Sequence, residues 1–255
     1  MKNLFAIVAG FAVAASASAG VFTGWDVTIQ LGDNTPWSVV NQGVYQMTQT
    51  ANPDGSTTYV VTGSDSNANR TFGWDVEIIE VPAVAGRGGS GALFVSSSFS
   101  ITNNTGVIQP FNVQVNVPGS LSGPNVMRGS VSGSVGDGDG ALDIFGAGGT
   151  VQTQMYPNPG ARPYYAAIID GVDVRDLYAA PSRNQAPQFG TADIDTQSFM
   201  NEPAPAVAGF VGIRNSFMLT SRDNAQFTST FVVVPTPGAL AIAGIAGLVG
   251  LRRRR

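Results

Sequence analysis

The segment of this chain best suited to bind a ligand is the glycine-rich acidic run 136–140. Asp137 and Asp139 alternate there with glycine, and Asp143 follows three residues later. Alternate carboxylates in a flexible loop can converge on one hard cation, because Ca²⁺ takes several oxygen ligands. A calcium site formed by Asp137, Asp139 and Asp143 is therefore one hypothesis.

The ligand set of this acidic run is incomplete. Ala141 stands where an EF-hand loop needs its next carboxylate or amide ligand, and the Glu expected at the end of such a loop is missing. The pattern favours a tight acidic turn in a hairpin between strands at 131–135 and 142–145, with calcium binding as the alternative.

A second acidic series contains Asp170, Asp173 and Asp176 at intervals of three residues. Gly171 and the β-branched neighbours favour a strand–turn–strand over a helix. We expect Asp170 and Gly171 to form the hairpin turn, with Arg175 pairing locally with Asp173 or Asp176.

The chain contains no His and no Cys. Ser-His and Cys-His catalytic triads are thereby excluded, as are zinc sites of the standard ligand types and disulfide bonds. Carboxylate-only chemistry, such as glycoside hydrolysis by a pair like Asp143 and Asp170, remains a minor alternative, since nothing in the sequence brings two acids together. A non-enzymatic protein is the prediction.

Aromatic side chains are the candidates for stacking on a sugar ring. Trp25 and Trp74 lie on apolar stripes and are predicted to be in the core. Pro36 precedes Trp37, and Pro163 precedes Tyr164 and Tyr165, which favours a surface position for these three aromatic side chains. A polysaccharide-binding module, with calcium as an assisting ligand, is the alternative function.

Charge argues against nucleic acid as a partner. Of 13 Lys and Arg, five are Lys2 and the four terminal arginines, so eight scattered arginines face 17 acids in the rest of the chain. The resulting net charge of about −9 does not supply the clustered cations that phosphates require.

Two-residue alternation dominates residues 20–234 and predicts an all-β protein, an antiparallel β-sandwich or jelly-roll-like domain. The clearest stripes begin at Trp25, Phe72, Phe111 and Phe227, and clusters of Gly, Pro, Asn and Asp separate them. Residues 179–206, rich in Pro, Gln and Ala, are predicted to form a long ordered loop or a lid that crosses one end of the sandwich.

The first 19 residues have the layout of a secretory signal peptide. Lys2 supplies a positive charge, an apolar stretch follows, and Ala17 and Ala19 form a small-x-small cleavage site before Gly20. We therefore predict a signal helix, recognition by the Sec translocon and signal peptidase, and export.

The last 21 residues, 235–255, form a three-part tail. Val234, Pro235, Thr236, Pro237 and Gly238 make an extended motif, because proline cannot be helical. An apolar run to residue 251 predicts a transmembrane helix, and its length of about 21 Å falls short of a ~30 Å hydrocarbon core.

Four arginines close the chain and predict a stop-transfer signal on the cytoplasmic side: Arg252, Arg253, Arg254 and Arg255. Motif, short apolar helix and arginine cluster together resemble the PEP-CTERM sorting signal of bacterial exosortase substrates. Thr236 stands where the usual motif has Glu. The resemblance implies an exosortase-type processing enzyme and an exported bacterial protein that the inner membrane holds transiently before it reaches the cell surface or extracellular matrix.

Overall fold

A computed structural model describes residues 26–31, 37–38, 45–53, 56–80, 91–142, 148–155, 161–179 and 181–236. These residues form sixteen strands and contain no helix. The strands are β1 (Asp26–Leu31), β2 (Trp37–Ser38), β3 (Gln46–Ala51), β4 (Thr57–Ser66), β5 (Arg70–Glu80), β6 (Leu93–Asn103), β7 (Gln109–Pro118), β8 (Asn125–Gly136), β9 (Thr150–Met155), β10 (Ala161–Arg162), β11 (Tyr165–Ile169), β12 (Val172–Leu177), β13 (Arg183–Gln185), β14 (Thr191–Ala204), β15 (Phe210–Leu219) and β16 (Asn224–Pro235).

The strands are arranged in two antiparallel sheets, so the predicted all-β class is confirmed. One sheet has seven strands in the order β14-β8-β16-β6-β5-β4-β3. The other has nine strands. In it, β15 pairs with β7 along one edge and with β9 and β11 along the other, and β1 and β2 continue beyond β7.

The core lies between the two sheets and is aromatic at its centre. Phe217 on β15 lies 4.9 Å from Phe227 on β16 and 6.3 Å from Phe99 on β6, measured between ring centroids. Trp74 is buried, as predicted, and stacks on Phe72. The contacts of Phe217 join one sheet to the other, which gives a β-sandwich-like fold; the jelly-roll-like variant stays a prediction.

The predicted loop at 179–206 is wrong, because residues Thr191–Ala204 form the longest strand, β14. Its buried side chains Ile194, Phe199 and Ala204 are five residues apart, whereas a regular strand places odd separations on opposite faces. Two register shifts, between Ile194 and Gln197 and between Phe199 and Glu202, restore them to one face. The bulges therefore hide the two-residue period from a pattern-based prediction.

The hairpin predicted between strands at 131–135 and 142–145, with the acidic run as its turn, is also wrong. β8 already pairs with β14 on one edge and β16 on the other, so neither edge is free for the segment that follows. The next described strand, β9, belongs to the nine-stranded sheet. The acidic run thus lies at a crossing from one sheet towards the other.

Both predicted flanking helices, the signal helix at 1–19 and the transmembrane helix after Gly238, lie outside the described residues, and nothing in the structure supports them. Among the residues that the structure describes, no helix is long and apolar enough to cross a membrane.

Candidate functional site

The acidic loop, residues 137–142, lies where three segments meet at one end of the sandwich. The backbone N–H of Asp137 donates to the carbonyl of Gly190 over 3.0 Å, which ties the loop to the turn between β13 and β14. The N–H of Gly138 donates to the carboxylate of Asp223 over 3.1 Å, which ties it to the turn between β15 and β16. The long β8 and β16 strands bring these turns together.

Asp137 is the centre of this loop and is only 9% exposed. Its Oδ1 accepts the backbone N–H groups of Asp139 and Gly140 over 3.2 and 2.8 Å, and its Oδ2 accepts that of Phe189 over 2.8 Å. Gly140 has a φ of 69°, which glycine adopts without strain, and the ring of Phe189 lies over it. The Asp137 carboxylate therefore fixes the backbone of the loop and holds it against the backbone of Phe189.

A third carboxylate joins the two predicted ones. Ligand oxygens of Asp137, Asp139 and Asp223 all lie within 4.8 Å of one another, as a site for a hard cation requires. Asp143, the third ligand predicted from the sequence, lies outside the described residues. Sequence analysis missed Asp223 because it is 84 positions from Asp139 and no spacing rule links the two residues. The one local signal that could have drawn attention to it is its position in a turn next to a core strand.

The hydrogen bonds of the cluster compete with a cation for the same oxygens. Asp223 is 1% exposed, and its Oδ2 accepts the hydroxyl of Thr220. Asp139 accepts the N–H of Ala141 through Oδ1 over 2.9 Å. Each carboxylate thus has a protein donor, as a structural turn requires, and the calcium site stays a prediction.

Two opposing effects act on the pKa of Asp137. Burial raises it, while the backbone N–H groups of Phe189, Gly140 and Asp139 lower it. The net pKa lies below the ordinary range of an aspartic acid, because three donors stabilise the charged form. The group is therefore a fixed anion at neutral pH, which suits a structural anchor or a cation ligand and does not suit a general acid.

The second acidic series forms the predicted hairpin. Asp170 and Gly171 connect β11 to β12 with φ values of 50° and 83°, as a two-residue hairpin turn requires. The predicted local pairing of Arg175 is wrong. Arg175 lies 3.2 Å from Glu202 on β14, and Asp173 pairs with Arg214 of β15. A register shift in the β11–β12 ladder lies between the positions of Asp173 and Arg175.

Asp170 is also a bridge between distant segments. Its Oδ2 accepts the N–H of Ala208 over 2.8 Å, and its Oδ1 accepts those of Gly209 and Phe210 over 2.7 and 2.9 Å. With both oxygens engaged by backbone donors, Asp170 is a turn cap. Its predicted partner in acid–base chemistry, Asp143, lies outside the described residues.

Of the three aromatic residues predicted to stack on sugars, the two whose side chains are described lie in the core. Tyr164 and Tyr165 are both 0% exposed, and their hydroxyls donate to the backbone carbonyls of Val151 and Thr230. Burial raises the pKa of the Tyr165 phenol. The prediction of surface exposure is wrong for both residues, because Tyr164 packs against Phe227 and Tyr165 against Phe199, which lie on the other sheet. The side chain of Trp37 is outside the described set.

A polar groove lies instead on the outer face of the seven-stranded sheet, beside the bulged strand β14. It has a volume of about 460 Å³. Its hydrogen-bonding side chains are Ser98, Ser132, Ser134, Asp193, Asp195, Thr196, Gln226 and Thr228. Hydroxyl, amide and carboxylate groups of this kind can exchange hydrogen bonds with a polyol.

Only the start of the sorting motif falls within the structure. Val234 and Pro235 pair with Val126 and Asn125 of β8, and the N–H of Thr236 donates to the carbonyl of Pro124 over 3.0 Å. The rest of the motif (Pro237, Gly238), the four terminal arginines and the cleavage site at Ala17, Ala19 and Gly20 lie outside the described residues.

In comparisons with known proteins, no protein-family model matches this chain, and no curated protein is significantly similar to it.

Proposed function

We propose that this protein is a non-enzymatic, exported cell-surface or extracellular-matrix protein that is sorted and processed through its C-terminal tail. The sequence at the two ends motivates the proposal, since a signal-peptide pattern precedes the β domain and a PEP-CTERM-like tail follows it.

One structural observation supports this order of parts. β16 pairs on both edges inside its sheet, and its last paired residue is Pro235, which lies at the start of the tail and opposite Asn125 of β8. The last described hydrogen bond of the segment is made by Thr236. Since β16 ends at Pro235, a cut beyond Thr236 would leave this core strand whole.

The proposed route has three steps. The Sec translocon exports the chain and signal peptidase cuts before Gly20. The short apolar run and its arginines hold the chain in the inner membrane. An exosortase-type enzyme then cuts within the proline-containing motif, where the prolines disfavour a helix.

Intact mass of the protein recovered from the membrane and from the medium of the native host tests this route. The expected product begins near Gly20 and ends within residues 235–238, and any attached anchor appears as additional mass. As a matched comparison, replacement of Arg252–Arg255 by alanine is expected to reduce processing while the fold stays intact. A surface product that still carries the four arginines would disprove the sorting proposal.

The alternative function is binding of an extracellular polysaccharide, favoured by the polar groove. Neutral sugars present hydroxyls in both donor and acceptor roles, which the carboxylates of Asp193 and Asp195 and the hydroxyls of Ser132 and Thr228 complement. The groove lacks a described stacking platform, so hydrogen bonding would carry the selectivity.

A glycan array probed with and without Ca²⁺ tests this alternative. Binding that is lost in the double variant Asp193→Ala and Asp195→Ala, and kept in Asp75→Ala, would assign the groove. Asp75 is the matched control because it is exposed on β5 of the same sheet, four strands from β14, and does not line the groove, although it pairs with Ser98 at the groove's edge. No binding under either condition would exclude the alternative.

A further inference from the structure

The edges of the two sheets differ in how they are protected against pairing with another chain. An edge strand exposes unpaired backbone N–H and C=O groups, and proteins usually protect it with charges, proline, bulges or short length. This difference is present among the described strands and singles out one edge.

Most described edges carry at least one protective feature. β14 has two bulges, the carboxylates of Asp193, Asp195 and Glu202, and Pro203. β12 carries both signs of charge in the sequence VDVRDL. β2 and β10 have two residues each, and β13 has three.

β3, at the far edge of the seven-stranded sheet, has none of these features. Its six residues, QMTQTA, include no charge, proline or glycine, and all of them except Met47 are exposed. Among the described strands it pairs only with β4, in a regular register from Gln46–Thr62 to Ala51–Thr57. Within the described part of the chain, no strand pairs with its second edge, and the regular register with β4 keeps the backbone of that edge extended.

We propose that β3 pairs antiparallel with β3 of a second copy of this chain and joins two seven-stranded sheets into one. A two-fold axis across the edge gives this isologous arrangement. Because β3 is uncharged, no like charges face each other across the pair, although the protein as a whole is acidic.

The proposed interface has the chemistry of a weak self-association. Thr and Gln side chains supply neighbouring hydrogen bonds in addition to the backbone ladder. Six residues bury little surface, so we expect a concentration-dependent dimer, favoured where copies are crowded. This contact is independent of the proposed export route, because it requires only the folded sandwich.

Sedimentation velocity of the full chain over a range of concentrations tests the proposal, with two matched variants. Thr48→Lys adds a charge at the centre of the β3 edge, and Thr196→Lys adds the same charge to the protected edge strand β14. Both threonines are exposed. Since the variants contain the same tails, any association through other segments is common to all three proteins.

The weight-average mass of the wild type is expected to rise with concentration, that of Thr196→Lys to follow it, and that of Thr48→Lys to stay lower. Equal masses for the wild type and Thr48→Lys, or a monomer at every concentration, would overturn the proposal. Amide hydrogen exchange of the wild type provides a check without mutation, because the β3 amides should exchange more slowly at high concentration and the β14 amides should not change.

Discussion

At the scale of single residues, the aspartates act chiefly as caps for distant backbone N–H groups. Asp137 accepts the N–H of Phe189, 52 positions away, and Asp170 accepts three N–H groups that are 38–40 positions away. The sequence correctly marks Asp170 as a turn residue, since Asp tolerates such turns, whereas the hairpin turn predicted around Asp137 does not form. The packing of the strands determines which backbone N–H groups donate to these two carboxylates.

Asp170→Asn should destabilise the protein at neutral pH. Asn presents one carbonyl oxygen, whereas the Asp170 carboxylate serves three donors through two oxygens. We expect a loss of about 1 kcal/mol in the free energy of unfolding, reduced by the solvent exposure of the site. Urea unfolding measures it, with Asp193→Asn on the exposed face of β14 as the control for charge removal.

The effect of Asp170 should depend on pH. The N–H groups of Ala208, Phe210 and Gly209 hold the pKa of its carboxyl below the ordinary range, although burial opposes them. The unfolded-state pKa is about 3.9, so the stabilisation is complete above that value and is lost as the pH falls through the lower folded-state pKa. The difference between wild type and Asp170→Asn should shrink in acid; a pH-independent difference would contradict this account.

Calcium binding by the acidic loop is tested by thermal unfolding. Since the carboxylates of Asp137 and Asp223 already have protein donors, we expect the same unfolding midpoint in Ca²⁺ and in EDTA. A midpoint that rises with Ca²⁺ in the wild type but not in Asp139→Asn would establish the cation site instead, because ligands that bind the native state stabilise it.

At the scale of strands, a close backbone approach distinguishes the centre of the seven-stranded sheet. Gly133 on β8 pairs with Phe227 on β16, and a Cβ at Gly133 would lie 2.3 Å from the carbonyl oxygen of Gln226. Glycine in a strand interior often marks such an approach. The period-two pattern identifies β16 but does not reveal this contact.

Gly133→Ala should therefore destabilise the sandwich by about 1–3 kcal/mol, the usual range for overpacking. The matched control is Gly106→Ala, since a Cβ there meets nothing within 4 Å and its change should stay within about 0.5 kcal/mol. Chemical denaturation of both variants measures the difference. Similar losses for the two would show that the approach of β8 to β16 can relax.

At the scale of the whole molecule, a buried polar bridge joins the two sheets. Asn215 on β15 donates to Ser229 on β16 over 3.0 Å and to the carbonyl of Tyr164 over 3.0 Å. Both side chains are at most 1% exposed, inside an aromatic core. Such a bridge fixes the position of one sheet over the other, because its geometry is more specific than apolar contact.

Ser229→Ala should leave part of the Asn215 side chain unsatisfied in the core. The expected loss is about 1–3 kcal/mol, the cost of an unpaired buried polar group. Ser98→Ala, on the exposed outer face of β6, removes the same hydroxyl and should change stability by less than about 0.5 kcal/mol. Equal effects in urea unfolding would refute a structural role for the bridge.

The sequence by itself determined the strand class and the inner faces of the regular strands. Phe72, Val76 and Ile78 on β5 and Phe111, Val113 and Val115 on β7 are buried as their alternation predicts, because neighbouring side chains in a strand point to opposite faces. It also located the turn at Asp170 and Gly171 from local conformational preference.

Tertiary structure alone decided the remaining features. The bulges of β14 break the period on which its prediction depended. The convergence of Asp223 with Asp137 and Asp139, and the burial of Tyr164 and Tyr165, follow from which strands lie side by side. Those pairings join residues that are far apart in the chain, so no local spacing encodes them, and only the packing of one sheet on the other brings them together.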